Sequence, residues 1–246
     1  TGGTGFGLMA LLVGIERSFI TRQQGIQQVN KIVTFLEKAD RFHGAWSHWV
    51  DGNTGKVIPF STKDNGGDLV ETSFLVQGLL TVRQYLQPTD TVGNNLIKRI
   101  NTLWETVEWD WYRKNNSGVL YWHWSPNFGW QMNFQLRGWN EAMIVYILAA
   151  ASPTHGVPAS LWTTGWTAQN YYSGLTWYGH KLFVGEQKGG PLFFAHYSFL
   201  GFDPRGKKDY FCNYFLQNRN HSLVNRAYCI ENPKNYAGYS GDSWGL

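Results

Sequence analysis

Two kinds of predicted helix alternate along this chain, and their alternation limits the folds that the chain can adopt. Four segments are apolar on nearly every side, and a helix of that kind is buried on all sides. They read FGLMALLVGI at 6–15, LVETSFLVQGLL at 69–80, EAMIVYILAAA at 141–151 and LFFAHYSFL at 192–200. The other kind is amphipathic with one apolar stripe, and occurs at 21–38, 89–109 and 207–220.

This order predicts an all-α architecture in which helical hairpins form a ring, with buried inner helices and half-exposed outer helices. In such an α/α toroid alternate helices point the same way. A glycine-rich segment precedes each buried helix, so we expect these segments to gather at one end of the ring. They are Gly2-Gly3, Gly66-Gly67, Gly138 and Gly189-Gly190. A helical fold that is not a toroid is the alternative.

Two insertions interrupt the helices, and each directly precedes a buried helix. Residues 44–60 contain the turn signals Asp51-Gly52 and Thr54-Gly55, which predict a β-hairpin. Residues 118–136 predict a second hairpin, with Trp122 and Trp124 on one face. Both hairpins are expected at the end of the ring that holds the glycine-rich segments.

Composition excludes several classes of protein. Aromatic residues make up 17% of the chain and charged residues only 15%, which excludes a disordered protein. The net charge of +4 is spread along the chain without a basic stripe, so nucleic acid is not an expected partner. No apolar run is long enough to span a membrane, and the run at 6–15 lacks the basic lead-in and the cleavage site of a signal peptide. Cys212 and Cys229 are predicted to be buried free thiols, with a single disulfide as the alternative.

The densest polar cluster holds Asp64, Asp68 and Glu71, at spacings of four and three residues. If a helix begins near Asp68, then Asp68 and Glu71 share a face and Asp64 lies just before them. One interpretation is structural: Asp68 caps the helix and Glu71 completes a capping box. The other is functional, because a carboxylate within an apolar helix is costly unless it is paired or used.

The second cluster is Arg137, Gly138, Trp139, Asn140 and Glu141, and its carboxylate, Glu141, lies at the start of the most apolar helix. It either stabilises the helix N-terminus or serves in chemistry. The toroid would bring Glu141 and the 64–71 cluster to the same end of the ring. Two carboxyl groups that flank a cleft are the minimum for glycoside hydrolysis.

Six tryptophans lie in the segments before buried helices, where a core needs few of them. Indole faces stack on sugar rings, while polar side chains such as those of Asn140 and His196 bond the hydroxyls. We therefore predict a sugar-binding surface, although any one of these rings can be structural. No metal or cofactor is predicted, because the histidines occur singly. The tryptophans are Trp46, Trp49, Trp122, Trp124, Trp130 and Trp139.

Several long stretches carry a family resemblance, including HGAWSHWVDGNTGKVIPFSTKDNGGDLVETSFLVQGLL, RGWNEAMIVYILAAASPTH and GGPLFFAHYSFLGFDPR. They resemble the glycoamylase-like domain proteins, which include the endo-β-1,2-glucanases of glycoside hydrolase family 144. The resemblance implies an (α/α)6 barrel and an inverting, metal-independent hydrolase of β-1,2-glucans. It places the important acidic residues at Asp64, Asp68, Glu71 and Glu141, with Glu141 as general acid and the base undecided.

Family domains are longer than this chain, so residues 1–246 are expected to be one glycoamylase-like domain truncated at both ends. The resemblance implies a monomer that acts on an oligo- or polysaccharide in the periplasm or outside the cell. Three other functions stay open. They are a sugar-binding relative without catalysis, an enzyme that transfers or phosphorolyses the linkage, and an α-glucan hydrolase.

Overall fold

The computed structural model describes residues 1–86 and 91–245. Helices are the main regular structure, and all strands in these ranges are two residues long and paired in small antiparallel hairpins or bridges. The chain divides into two compact units, Thr1–Gln135 with Val145–Leu161, and Leu136–Ile144 with Trp162–Leu246. Among the described residues, no helix is both long and apolar enough to cross a membrane.

Five helices contribute to the first unit. The amphipathic helix α2 begins as predicted, because Thr21 Oγ1 accepts the N–H of Gln24 at 3.2 Å and Gln24 Oε1 accepts that of Thr21 at 2.9 Å. The helix predicted at 89–109 is α4, and residues 89 and 90 lie outside the described ranges. The helices are α1 (Gly2–Glu16), α2 (Arg22–Leu36), α3 (Leu69–Tyr85), α4 (Thr91–Glu105) and α5 (Met143–Ala151), whose first two residues belong to the second unit.

Helices α1 and α3 touch through their backbones. A Cβ added to Gly5 would lie 2.0 Å from the Phe74 carbonyl oxygen, and one added to Gly78 would lie 2.2 Å from that of Gly5. Helix α3 is buried around nearly its whole circumference, as predicted. The same prediction is wrong for α1, which buries only the face that meets α3 and leaves Val13 56% exposed.

The first insertion forms the predicted hairpin, and the second has a different partner. Strand β3 (Trp49–Val50) pairs with β4 (Val57–Ile58) around a turn in which Asp51 Oδ1 accepts the N–H of Thr54. In the second insertion β6 (His123–Trp124) pairs with β5 (Gly67–Asp68). The prediction of a self-paired hairpin at 118–136 is therefore wrong, apart from isolated bridges. The two strands can approach each other because Gly66 has no side chain. A Cβ added to Gly66 would lie 2.2 Å from the Trp124 carbonyl oxygen. The remaining pairs are β1 (Arg41–Phe42) with β2 (Ala45–Trp46), and β7 (Thr176–Trp177) with β8 (His180–Lys181).

Two helix predictions fail in the second unit. The segment 192–200 is a short helix, α6 (Phe193–His196), followed by a 3₁₀ turn, because Ser198 turns its hydroxyl to the Glu141 carbonyl. The segment 207–220 is helical only from α7 (Tyr214–Glu231) onward. Before it, Asp209 Oδ1 accepts the N–H groups of Phe211 and Cys212, and such local bonds compete with a helix.

Both cysteines are buried free thiols, as predicted. Burial raises the pKa of the Cys212 thiol to about 12.

Candidate active site

The first unit brings two predicted carboxylates together with two histidines at the start of α3. Asp64 is 4% exposed and Asp68 is fully buried. The β5–β6 register sets His123 directly opposite Asp68. The Leu69 N–H donates to the Trp122 carbonyl at 2.9 Å, which ties the helix start to the same strand. The pairing of two short strands therefore fixes a histidine beside the carboxylates.

Each histidine lies between both aspartates. His123 Nε2 is 3.2 Å from Asp64 Oδ2 and 3.5 Å from Asp68 Oδ2. His48 Nδ1 is 2.9 Å from Asp68 Oδ2 and 3.9 Å from Asp64 Oδ2. The Oδ2 atoms of both aspartates thus face the same two imidazole rings.

This arrangement changes the protonation of the cluster. Burial alone would raise the pKa of Asp68, but the hydrogen bonds from His123 and His48 lower it to about 2. Burial alone would lower the pKa of His123, but its bonds to Asp64 and Asp68 raise it to about 9. The bond to Asp68 also raises the pKa of His48. At neutral pH His123 and Asp68 therefore form a buried ion pair.

Asp68 is also the helix cap that the structural interpretation predicted. Its Oδ1 accepts the N–H of Glu71 at 2.9 Å. Glu71 does not complete a capping box with it, because its Oε2 accepts the N–H of Gly2 at 2.6 Å. The Glu71 carboxylate thus lies at the N-terminus of α1, where a negative charge is favourable.

Asp64 carries an unused acceptor. Its Oδ1 is buried and has no hydrogen-bond partner among the described residues. Buried polar atoms are rarely left in that state, because the desolvation penalty is about 1–3 kcal/mol. This oxygen is therefore available to a water molecule or to a ligand hydroxyl.

Several aromatic rings surround the two histidines. Trp122 stacks on His123 with a centroid distance of 5.6 Å, and Phe60 packs on His48 at 4.2 Å. Trp49 meets His48 edge-on and is 49% exposed. Trp124 and Trp130 are half-buried and both contact Trp111, itself 41% exposed.

Trp46 differs from the other tryptophans of the first unit that are predicted to bind sugar. It is fully buried, its indole N–H donates to the Leu36 carbonyl at 3.2 Å, and Arg41 covers its ring at 4.2 Å. A ring with no exposed face packs the core, so the structure gives Trp46 a structural position.

One group of side chains in the described ranges has the spacing of metal ligands. One ligand atom each from His48, Asp64 and Asp68 lies within 4.8 Å of the others. In this structure the same carboxylate oxygens accept from His48 and His123.

Glu141 lies in the second unit, in the turn before α5. The helix begins at Met143, two residues later than predicted. Ser198 fastens this turn, because its hydroxyl donates to the Glu141 carbonyl at 2.6 Å and accepts the Ile144 N–H at 3.0 Å. Asn140 Oδ1 accepts the Ala142 N–H at 2.9 Å. The Glu141 side chain is half-buried on a well-braced turn.

A cavity of about 540 Å³ lies beside this turn within the second unit. Trp139 and Asn140 contribute to it as predicted residues, and Glu186 is a carboxylate that the sequence analysis missed. His196 instead bonds Ser222 Oγ on α7 at 3.2 Å. The lining is Arg137, Gly138, Trp139, Asn140, Asn170, Tyr172, Gly185, Glu186 and Phe194.

Comparison with known proteins finds similar sequences. Residues 133–246 match the Glycoamylase family model, described as putative glucoamylase. A curated relative from Parabacteroides distasonis, named exo beta-1,2-glucooligosaccharide sophorohydrolase (non-reducing end), is 49% identical over the whole chain. The chain is similar to proteins of the glycoamylase-like family.

Solved structures of similar proteins extend the comparison across the whole chain. An endo-beta-1,2-glucanase from Chitinophaga pinensis, in complex with sophorotriose and glucose, is 58% identical with a TM-score of 0.95. A protein from Bacteroides caccae described as a putative glucoamylase is 56% identical with a TM-score of 0.94. This chain spans 60% of each of these structures and 37% of the curated relative.

Sequence reasoning missed His48 and His123 as partners of the aspartates. Both occur in aromatic stretches, SHW and WHW, and only the tryptophans of these stretches were predicted to belong to the site. A usable signal was present, because an unpaired buried aspartate requires a nearby donor. In this chain the donors come from the two predicted insertions.

Proposed function

We propose that this chain is part of a glycoside hydrolase that cleaves a β-1,2-glucan. The observation that carries the proposal is the buried Asp64–Asp68 pair, held by two histidines and retaining one unused carboxylate oxygen. A fold gains little from burying such a group, and perturbed carboxylates cluster at functional sites. The printed names of the Parabacteroides and Chitinophaga relatives support the choice of linkage.

The proposed reaction is inverting and uses carboxyl groups alone. Glu141 gives its proton to the glycosidic oxygen as the bond to the anomeric carbon breaks. A water molecule attacks that carbon from the opposite face and loses a proton to the base. The full domain is proposed to be an (α/α)6 toroid.

Asp64 is the base that the local chemistry favours. An efficient general base has a pKa near the working pH, and that of Asp68 is about 2. Both Asp68 oxygens are also occupied, by the helix N–H and by the histidines. Glu71 is engaged by the Gly2 N–H. Asp64 alone of these three has a carboxylate oxygen that is buried and without a partner among the described residues.

The partly exposed rings of Trp49, Trp122, Trp124 and Trp130 are proposed to contact sugar, as are Trp139 and Asn140 in the second unit. Aromatic faces stack on the apolar faces of sugar rings, and the cavity beside Asn140 adds amide and carboxylate groups for hydroxyls. We further propose that the protein is a monomer that acts in the periplasm or outside the cell, where polymeric glucans are met.

A second candidate is an α-glucan hydrolase. It is supported by the family description, putative glucoamylase, and by the same description of the Bacteroides caccae structure. The relatives also differ in mode, since one is named an exo-acting and the other an endo-acting enzyme. The test must therefore separate both linkage and mode.

The experiment incubates the full-length protein with linear β-1,2-, β-1,3- and α-1,4-glucans and resolves the products by chromatography. We expect short oligosaccharides from the β-1,2-glucan only. A single disaccharide from the start indicates exo action, and a mixture of lengths indicates endo action. An Asp64→Asn protein, purified in parallel, controls for contaminating hydrolases. Products from α-1,4-glucan alone, or from none of the three, would contradict the proposal.

A further inference from the structure

We propose that His123 is a positioning residue, whose imidazolium holds Asp64 and Asp68 side by side and leaves Asp64 Oδ1 as the acceptor for the reacting water. This inference rests on the proposed function and deepens it. His123 itself transfers no proton. The proton lost by the attacking water passes to Asp64 Oδ1, while His123 stays bonded to Asp64 Oδ2.

The position of His123 is fixed from three directions. The strand pairing sets its backbone opposite Asp68. Its Nε2 reaches Asp64 at 3.2 Å, and its side chain is only 10% exposed. The Trp122 ring lies nearly parallel to the imidazole, with an interplanar angle of 13°. An aromatic face of this kind also favours a cation beside it.

Two neighbouring carboxylates need such a cation. The ligand oxygens of Asp64 and Asp68 lie within 4.8 Å of each other and are shielded from solvent. Like charges that close disfavour each other's ionisation, as in paired catalytic carboxylates. An imidazolium bonded to both offsets that repulsion, so the two carboxylates can lie side by side with Asp64 Oδ1 as the acceptor.

His48 cannot replace His123 in this role. Its Nδ1 bonds Asp68 at 2.9 Å but is 3.9 Å from Asp64. It is also more exposed, at 22% of its side chain. His123 is therefore the histidine that orients Asp64, and His48 supports Asp68.

The other titratable groups around the cluster are accounted for. Glu71 on α3 acts on His48 through its charge. Tyr112, from the 3₁₀ turn Trp111–Arg113, is buried, donates to the Phe42 carbonyl at 2.8 Å, and has a raised pKa through burial and the charge of Asp68. Arg41 and Glu108 act on Tyr112 with opposite signs. A titration near pH 9 within this cluster is therefore assigned to His123, whose pKa is about 9.

The test compares full-length wild type, His123→Gln and His48→Gln on β-1,2-glucan, with His155→Gln as a matched control. His155 also bonds an aspartate, Asp110 at 3.2 Å, but at an exposed position of the same unit. Glutamine retains an N–H donor and removes the charge. We expect His123→Gln to lower kcat at least about 10-fold with KM changed less than about 3-fold.

The pH profile separates positioning from a purely structural role. The alkaline limb of the kcat profile is set by the general acid Glu141, which must be protonated to act, so the comparison uses the acid limb of the His123→Gln protein. Its acid limb should move to higher pH, because Asp68 loses a hydrogen bond that lowers its pKa. His155→Gln should keep the wild-type profile. A folded His123→Gln protein with wild-type kcat and an unmoved profile would overturn the inference.

A measurement on the wild type decides the case if the variants do not fold. In protein labelled at its histidines, NMR follows the His123 imidazole with pH, and its signal is assigned through its contact with the Trp122 ring. Titration near 9 supports the inference, and titration near the ordinary 6.5 overturns it. A wild-type protein inactive on every glucan, with His123 still titrating near 9, would instead contradict the proposed function.

Discussion

Asp68 is bound on both of its carboxylate oxygens, and this explains how a fully buried charge persists. One oxygen caps α3 through the Glu71 N–H, and the other accepts from His48. A lost cap costs about 1 kcal/mol, whereas an unpaired buried carboxylate costs several times more. The capping interpretation is therefore confirmed for Asp68, and a catalytic role of this residue stays a prediction.

The ion pair makes stability depend on pH in a predictable direction. The pKa of His123 rises from 6.5 to about 9 in the folded protein. Its stabilisation is thus fully present below pH 6.5 and is lost as the pH rises through about 9. We expect the free energy of unfolding to fall by up to ~3 kcal/mol over this range. Denaturant titrations of the full-length protein at several pH values measure it.

Asp68 provides the opposite limit. Its pKa falls from 3.8 to about 2, so its contribution to stability is present above pH 3.8 and is lost as the pH falls through about 2.

Two variants serve as controls for the His123 prediction. The His123→Gln protein should lack the loss of stability between pH 6.5 and 9, whereas the His155→Gln protein should retain it. Parallel curves for wild type and His123→Gln across that range would rule out a charged His123.

Helices α1 and α3 place the 64–71 cluster against the start of α1. Gly5 and Gly78 let the two backbones meet, and Glu71 accepts the first N–H of α1. Small residues at a helix contact permit this approach, and any added methyl group must displace backbone. The packing of α1 against α3 therefore helps to hold the Glu71 carboxylate in place.

A pair of alanine substitutions in α1 tests this contact. In Gly5→Ala the new Cβ would lie 2.0 Å from the Phe74 carbonyl oxygen, so we expect a destabilisation of about 1–3 kcal/mol or more. In Gly7→Ala the Cβ meets nothing within 4 Å, and the helix should gain about 0.5–1 kcal/mol. Denaturation midpoints of the full-length proteins measure both. Equal effects of the two substitutions would show that α1 does not pack on α3 in this way.

Local chemistry determined which elements were predictable. The capping box at Thr21 and the stripe of Val29 and Val33 act within one helix, and α2 matches its prediction. The segment around Ser198 is apolar enough for a helix, but a hydrogen bond to Glu141, far along the chain, shapes it instead. The β5–β6 pairing likewise joins residues distant in sequence. Such contacts leave no periodic pattern to read.

The two compact units divide the proposed chemistry between them. Asp64, Asp68 and Glu71 belong to the first unit, and Glu141 belongs to the second. The carboxylates were predictable because charged residues are rare beside long apolar helices. Their histidine partners were not, since those pairs form only when the insertions fold against α3. The solved relatives share this fold over the whole chain, with TM-scores of 0.95 and 0.94.

The most direct test of the proposed mechanism is the initial rate of β-1,2-glucan cleavage by full-length Glu141→Gln protein, compared with wild type. The substitution keeps the size of the side chain and removes its acidic proton. A matched control is Glu231→Gln, which changes an exposed glutamate of the same unit. We predict a loss of about 10²–10⁴-fold in kcat for Glu141→Gln and none for the control. A Glu141→Gln protein that keeps more than about half of the wild-type kcat would contradict the role of Glu141 as general acid.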